Sequence, residues 1–175
     1  AATADAHQFV KGTNVAGVGI GLGSALGNFS YGSQTPALSV QYEKGVWDIG
    51  GPGVISLGGY AGFKGFKYSA SEGGFSYSEK WNYTIIGVRS AYHYNGLNAA
   101  KVDVYGGVML SYNIPSFKYT DSEGNNIVPD NKRYCSALGF SLYVGGRYFC
   151  VENVAAGDEL GYGVSYLTLR LALKF

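Results

Sequence analysis

An alternation of period two, carried through most of the chain, predicts an all-β fold: an eight-stranded antiparallel up-and-down transmembrane β-barrel. Three observations point there. Residues 164–175 read VSYLTLRLALKF, with Leu167, Leu169, Leu171, Leu173 and Phe175 on one face and Thr168, Arg170, Ala172 and Lys174 on the other. The 175 residues carry 28 Gly, 16 Tyr and 9 Phe against 4 Pro, a composition suited to many twisted strands with aromatic surfaces. Short turns alternate with longer loops, the asymmetry of a membrane barrel.

The strands follow in order. The first covers residues 14–23, where Val18, Ile20 and Leu22 alternate with Gly17, Gly19, Gly21 and Gly23. The second, 37–44, sets Leu38, Val40 and Tyr42 on its apolar face. The third, 54–68, separates Ile55, Leu57, Ala61 and Phe63 from Ser56, Tyr60 and Lys64. In the fourth, 80–94, Ile86, Val88, Tyr92 and Tyr94 point outward and Trp81, Tyr83, Arg89 and His93 inward. The fifth, 101–112, follows the turn Asn95-Gly96-Leu97-Asn98; Val102, Val104, Val108, Leu110 and Tyr112 face out, and Asp103, Tyr105, Met109 and Ser111 face in. The sixth is 135–150, with Leu138, Phe140, Leu142, Val144 and Tyr148 outward and Ser141, Tyr143 and Arg147 inward. The seventh is 154–162, and the eighth closes the chain.

An even count returns both termini to one side, the periplasmic one. Outer loops then fall at 24–36, 69–79 and 113–133, with a fourth almost absent near 161–163; the inner turns are shorter except for 45–53. Outward aromatics sort into two girdles, with Tyr92, Tyr94, Tyr148 and Phe175 low and Tyr112, Phe140 and Tyr162 high. Residues 1–12 form a separate N-terminal periplasmic segment and 13–175 the barrel. The start carries no basic and apolar leader, so the expected form is the mature one.

Composition excludes several classes. No apolar run approaches the ~18 residues of a spanning helix, and a mean hydropathy near zero suits a barrel whose two faces cancel. A formal net charge of +1 with dispersed basic residues leaves no footprint for nucleic acid. Cys135 and Cys150 lie near opposite ends of one strand, ~50 Å apart at ~3.3 Å per residue, so two free thiols are expected.

Charge placement fixes the parity. A basic side chain facing lipid at mid-membrane costs about 2–4 kcal/mol, so Arg89, Arg147 and Arg170 face the lumen. There Glu43, Asp103 and Glu159 are acidic partners, His93 faces Asp103, and Tyr60, Tyr83, Tyr105 and Tyr143 fill the remaining space. A barrel of eight strands so packed holds no continuous channel. With Glu159 inward, Asp158 must point outward, by a β-bulge, by lying at headgroup depth, or because a partner protein covers that face.

Other motifs carry little. GVGIGLGSALG at 17–27 lacks dinucleotide-loop spacing, and its alternate glycines make room inside the wall. His93 and Asp103 suggest general-base chemistry, yet neither Ser90 nor Ser111 is placed to complete a triad. Asp121, Glu123, Asn125, Asn126 and Asp130 offer oxygen ligands without the spacing of a calcium loop. No cofactor and no metal are expected.

The terminal strand resembles the last strand of bacterial outer-membrane barrels, in which a closing aromatic, here Phe175, is part of the insertion signal. LYVGGRYF at 142–149, Glu152-Asn153, ELGYG at 159–163, VSYLTL and the final KF resemble the small outer-membrane β-barrel proteins common in Bacteroidetes, of OmpA or OmpX size. SVQYEKGVWD at 39–48, AYHYNGLN at 91–98 and KVDVYGGVMLSYN at 101–113 extend that likeness over most of the chain. The resemblance implies the fold and an outer-membrane location and hardly any function; the role expected is non-enzymatic, an envelope protein that binds through its outer loops or an accessory subunit of a larger outer-membrane complex. The expected partners are outer-membrane lipid, lipopolysaccharide, the barrel-insertion machinery and, for an accessory subunit, a larger outer-membrane complex. A lipid-modifying barrel enzyme and a soluble lipocalin-like binder are the alternatives.

Overall fold

The computed structural model describes residues 9–23, 33–34, 36–97, 99, 101–120, 126–127, 137–163 and 165–175. Eight strands make the barrel: β1 (Asn14–Leu22), β2 (Ala37–Asp48), β3 (Gly53–Glu72), β4 (Phe75–Tyr94), β5 (Val102–Thr120), β6 (Ala137–Phe149), β7 (Val154–Tyr162) and β8 (Leu167–Lys174). Each pairs antiparallel with its neighbour in sequence, and β1 pairs with β8, as in Val18 opposite Leu171, so the sheet is closed. Closure removes every edge of the barrel body, the condition an antiparallel wall must meet in an apolar solvent.

Alternation along these strands is nearly unbroken. On β3, Ser56, Tyr60 and Lys64 are buried while Leu57 and Phe63 are exposed; on β8, Thr168, Arg170 and Ala172 are buried while Leu169, Leu171 and Leu173 are exposed. The interior is therefore polar as well as aromatic, with Tyr60, Ile85, Tyr105, Met109 and Tyr143 packed at its centre. Glycine gives that interior its room. A Cβ on Gly19 would lie 2.9 Å from Arg170 Nη1 and from Ser39 Oγ, so the glycine tract of β1 leaves space for the guanidinium crossing behind it.

The outer end departs from the loop layout expected from sequence. Residues 69–79 are no loop: β3 and β4 run on as a hairpin whose turn is Gly73-Gly74, with φ of 61° and 88°. Two successive positive φ values make the tight primed turn that matches strand twist, and glycine adopts them without penalty. Likewise β5 continues to Thr120 and claims the first part of 113–133, with Asn126–Ile127 pairing against Tyr119 and Thr120. Ser33–Gln34 pair with Lys67 and Phe66. Residues 24–32, 35, 121–125 and 128–136 lie outside the described residues, and with them Cys135, the expected start of the sixth strand; β6 is described from Ala137, and Cys150 is an exposed free thiol. Three strands thus rise as a fin above the rim.

At the opposite end the chain turns back across the mouth. Gly12 N donates to Gly45 O at 2.8 Å and Gly45 N to Thr13 O at 2.9 Å. A side chain on Gly45 would strike the backbone of Val10 and Lys11, so this glycine is the seat over which residues 9–13 fold inward. Asn95 Nδ2, from the far rim, donates to Phe9 O at 2.8 Å. Phe9 becomes fully buried with Val15, Val54, Phe149, Ala155 and Ala172.

Candidate functional site

Two charge clusters occupy the lumen. The one nearer the termini joins Glu43 of β2, Ser56 of β3, His93 of β4, Asp103 of β5 and Arg147 of β6. Arg147 Nη2 lies 2.7 Å from Asp103 Oδ2, its Nε donates to the same oxygen at 2.9 Å, and its Nη1 pairs with Glu43 Oε1. His93 Nδ1 is 2.9 Å from Asp103 Oδ1, and its Nε2 is 3.1 Å from Ser56 Oγ and 3.7 Å from Glu43 Oε2. Phe9 stacks on the imidazole with ring centroids 3.7 Å apart.

The second cluster lies above the first and turns on Glu159 of β7. Arg89 of β4 reaches it through two nitrogens, at 2.7 and 3.2 Å, and Arg170 of β8 through two more, at 3.1 and 3.2 Å. One carboxylate thus holds two guanidiniums in bidentate geometry, the strongest pairing available to these groups. Tyr143 lies under Arg89, 3.9 Å from guanidinium carbon to ring centroid. Tyr105 joins the clusters: its hydroxyl donates to Glu159 Oε2 at 3.2 Å, and its ring lies 4.7 Å from the Arg147 guanidinium carbon. Three guanidiniums face three carboxylates, with a deficit of positive charge below and an excess above.

What can this arrangement do chemically? Ser56, His93 and Asp103 make contacts in the order of a hydrolase triad, and Ser56 was not among the serines weighed from sequence. Yet Ser56 is 1 % exposed, His93 fully buried and the imidazole face covered by Phe9. The hydroxyl has no open approach for a carbonyl substrate, and the contacts form a buried hydrogen-bonded cluster. A cavity of about 30 Å³ beside Tyr60, Arg89, Glu159 and Thr168 is the free space next to the upper cluster.

Two solved structures have this architecture. Ail, the attachment invasion locus protein of Yersinia pestis, in its complex with the heparin analogue sucrose octasulfate, matches 95 % of this chain and 100 % of its own at a TM-score of 0.53. A second Ail structure gives 0.51 over the same shares, and both are 11 % identical to this chain. The chain shares its fold with Ail. At that identity the likeness is one of fold: all-β, a closed eight-stranded antiparallel up-and-down barrel. No family model matches, and no curated relative does.

Outside the lumen, Asp158 is exposed on the wall, and its strand pairs without interruption: Gly157, Asp158 and Glu159 sit opposite Arg170, Leu169 and Thr168 on one side and Arg147, Gly146 and Gly145 on the other. The bulge expected as one explanation is absent there. Phe175 is 65 % exposed and is joined to β1 by Phe175 N to Asn14 O at 3.0 Å. Sequence reasoning did not reach Phe9, and it placed Ser56 on the polar face of its strand without its contact to His93. The only signal for Phe9 was a lone aromatic in a stretch of small and polar residues; the Ser56 contact needed the register of β3 against β4.

Proposed function

We propose that the protein is an integral outer-membrane β-barrel of the small Bacteroidetes type, non-enzymatic, which anchors itself by its wall and presents its outer end for binding at the cell surface. One observation carries this reading: the outward wall is an apolar belt, with Val88, Leu110, Phe140 and Leu171 each 58–63 % exposed, while Arg89, Arg147 and Arg170 are turned inward. A belt of that extent needs an apolar solvent. The lumen network is then the barrel's internal brace, residues 1–12 lie on the periplasmic side, and Phe175 serves as the insertion signal. A second reading, an accessory subunit of a larger outer-membrane complex, rests on Asp158, a carboxylate on the apolar wall beside Leu169 and Gly146.

The interior argues against a lipocalin-like binder, because bidentate ion pairs and tyrosines fill the space a dry ligand would occupy. The test is fractionation of cells producing the full chain. The proposal expects it in outer membranes, extractable only with detergent and running faster on gels before heating than after. Recovery as a monodisperse protein in detergent-free buffer would refute it.

A further inference from the structure

Three features of the short side of the barrel meet on one face. Asp158 stands outward at the middle of β7 and heads a row of residues in register: Leu169 of β8, Ile20 of β1, Leu38 of β2 and Phe63 of β3. The next outward row toward the termini crosses the same strands, from Ala156 of β7 to Ala61 of β3. Between the two rows lies an apolar groove of about 900 Å³, and Asp158 follows Gly157, which lines its β7 end. Four strand spacings make it about 19 Å long at ~4.8 Å each. The strands here are also the shortest of the wall. β7, β8 and β1 have 9, 8 and 9 residues, at or below the about 9–11 that a tilted strand needs to cross the hydrocarbon.

The charge decides what covers this face. A carboxylate turned toward acyl chains at mid-membrane is costly and needs an answering group. Among the described residues none supplies a cation there: Arg147 and Arg170, the partners of Gly157 in register, point into the lumen, and Lys44 and Lys80 stand near the two ends of the wall. Acyl chains fill an apolar groove but leave the carboxylate unanswered, and a second copy of the chain brings the same inward arginines. Room for a long cationic side chain exists beside Asp158. Its neighbour on β6 is Gly146, where an added Cβ would meet only the Asp103 carbonyl oxygen, at 4.0 Å.

We propose that the face from Asp158 to Phe63 docks a membrane-embedded segment of a partner protein, apolar along the groove and carrying one lysine or arginine that pairs with Asp158. This rests on the accessory-subunit reading and deepens it, naming the surface and the chemistry of the partner. In the complex the ion pair is shielded from water, where attraction between opposite charges is strong. The partner also covers the side on which β7, β8 and β1 are short for the hydrocarbon, so the bilayer need not thin around them.

The test puts photoreactive p-benzoylphenylalanine at Phe63, at Leu160 beside Asp158, or at Tyr112 on the far side of the wall, in the full chain in its native membranes. After irradiation the cross-linked peptides are sequenced by mass spectrometry. Positions 63 and 160 are expected to mark one membrane-spanning segment of another protein, with a lysine or arginine among its apolar residues, and position 112 is expected not to mark it. Asp158→Asn should lower the cross-link at least about tenfold, and Asp158→Glu should keep it. Exchanging the marked cation for aspartate should abolish it, and Asp158→Lys in the same cells should restore it. All variants should keep the heat-dependent gel shift of wild type. Cross-links to this chain itself, to lipid alone or to a segment without a basic residue would overturn the proposal, as would an unchanged yield in Asp158→Asn. Marking from position 112 instead would refute this face and leave the subunit reading standing. An inserted barrel that gives no adduct at any position refutes both, whereas a chain recovered outside the membrane refutes the outer-membrane reading first.

Discussion

The two sides of the barrel wall are built to different heights. β3, β4 and β5 have 20, 20 and 19 residues, whereas β7, β8 and β1 have 9, 8 and 9. On the low side the residues serve closure and core, with Asp158 the exception on the outer wall: Arg170 and Glu159 point in, leucines point out, and the strands stop where the lumen is filled. On the high side the same alternation continues past the lumen, but the apolar set on its outer face gives way to serine, asparagine and lysine. The difference separates two jobs. The ring of eight strands is held by buried ion pairs and an apolar belt, and the three strands of the fin continue beyond it as one backbone-paired sheet with a glycine turn joining β3 to β4.

The largest effect that would sharpen this division comes from the ring. Glu159→Ala leaves Arg89 and Arg170 buried without their shared carboxylate; removing one partner of a buried network costs about 3–5 kcal/mol, read as a lower unfolding midpoint in urea with detergent or lipid present. Arg147→Met should cost less than Arg147→Ala, because the long apolar chain fills the volume, although Glu43 and Asp103 lose their common cation in both. A smaller loss, about 1–2 kcal/mol, is expected for Phe9→Ala, because residues 9–13 can detach locally while the ring stays closed. Its signature is faster amide exchange at Gly45 and in its neighbours, with the fin unchanged. Gly74→Val should cost about 1 kcal/mol or more through the positive φ at that position, and its effect on exchange should be confined to the top of β3 and β4. The smallest stability change belongs to Lys80, exposed on β4 in the fin: Lys80→Gln is expected to change stability by less than about 0.5 kcal/mol. A drop as large as that of Glu159→Ala would erase the distinction between ring and fin.

Sequence reading reached the ring far better than the fin. In the ring, the cost of charge against lipid and the regular appearance of leucine, valine and isoleucine at every second position locate both faces, so eight strands could be placed and β7 delimited to its ends. In the fin, SASEGGFSYSE at 69–79 is rich in serine and glutamate around two glycines, and the short alternation of Ala70, Phe75 and Tyr77 with serine is too brief to read as strand, so the segment reads as a loop; the Gly73-Gly74 pair was the available hairpin signal. The direct contacts of the lumen lay beyond periodicity. Parity sets Arg89 and Glu159 on the same side of the wall, but only register across non-neighbouring strands brings β4 and β7 together at 2.7 Å. The contact of Ser56 with His93 needed the register of the neighbouring strands β3 and β4, which sets Ser56 opposite Ala91. Phe9 was illegible for another reason: one aromatic has no period, and its place depends on a glycine 36 positions later in the chain, Gly45, letting the backbone fold over the rim.

The central claim is that one continuous strand, β4, leaves an apolar solvent partway along its length. It is tested most directly by placing a single nitroxide label at each position from 75 to 94 of the full chain in lipid bilayers, and measuring collision with oxygen and with a water-soluble nickel chelate. The account predicts that 84, 86, 88, 90, 92 and 94 favour oxygen, and that the residues between them are shielded from both reagents. From 82 upward toward 75 the nickel chelate should reach the outward positions. Uniform access of the nickel chelate at 86, 88 and 92, with no alternation, would contradict a barrel wall in lipid.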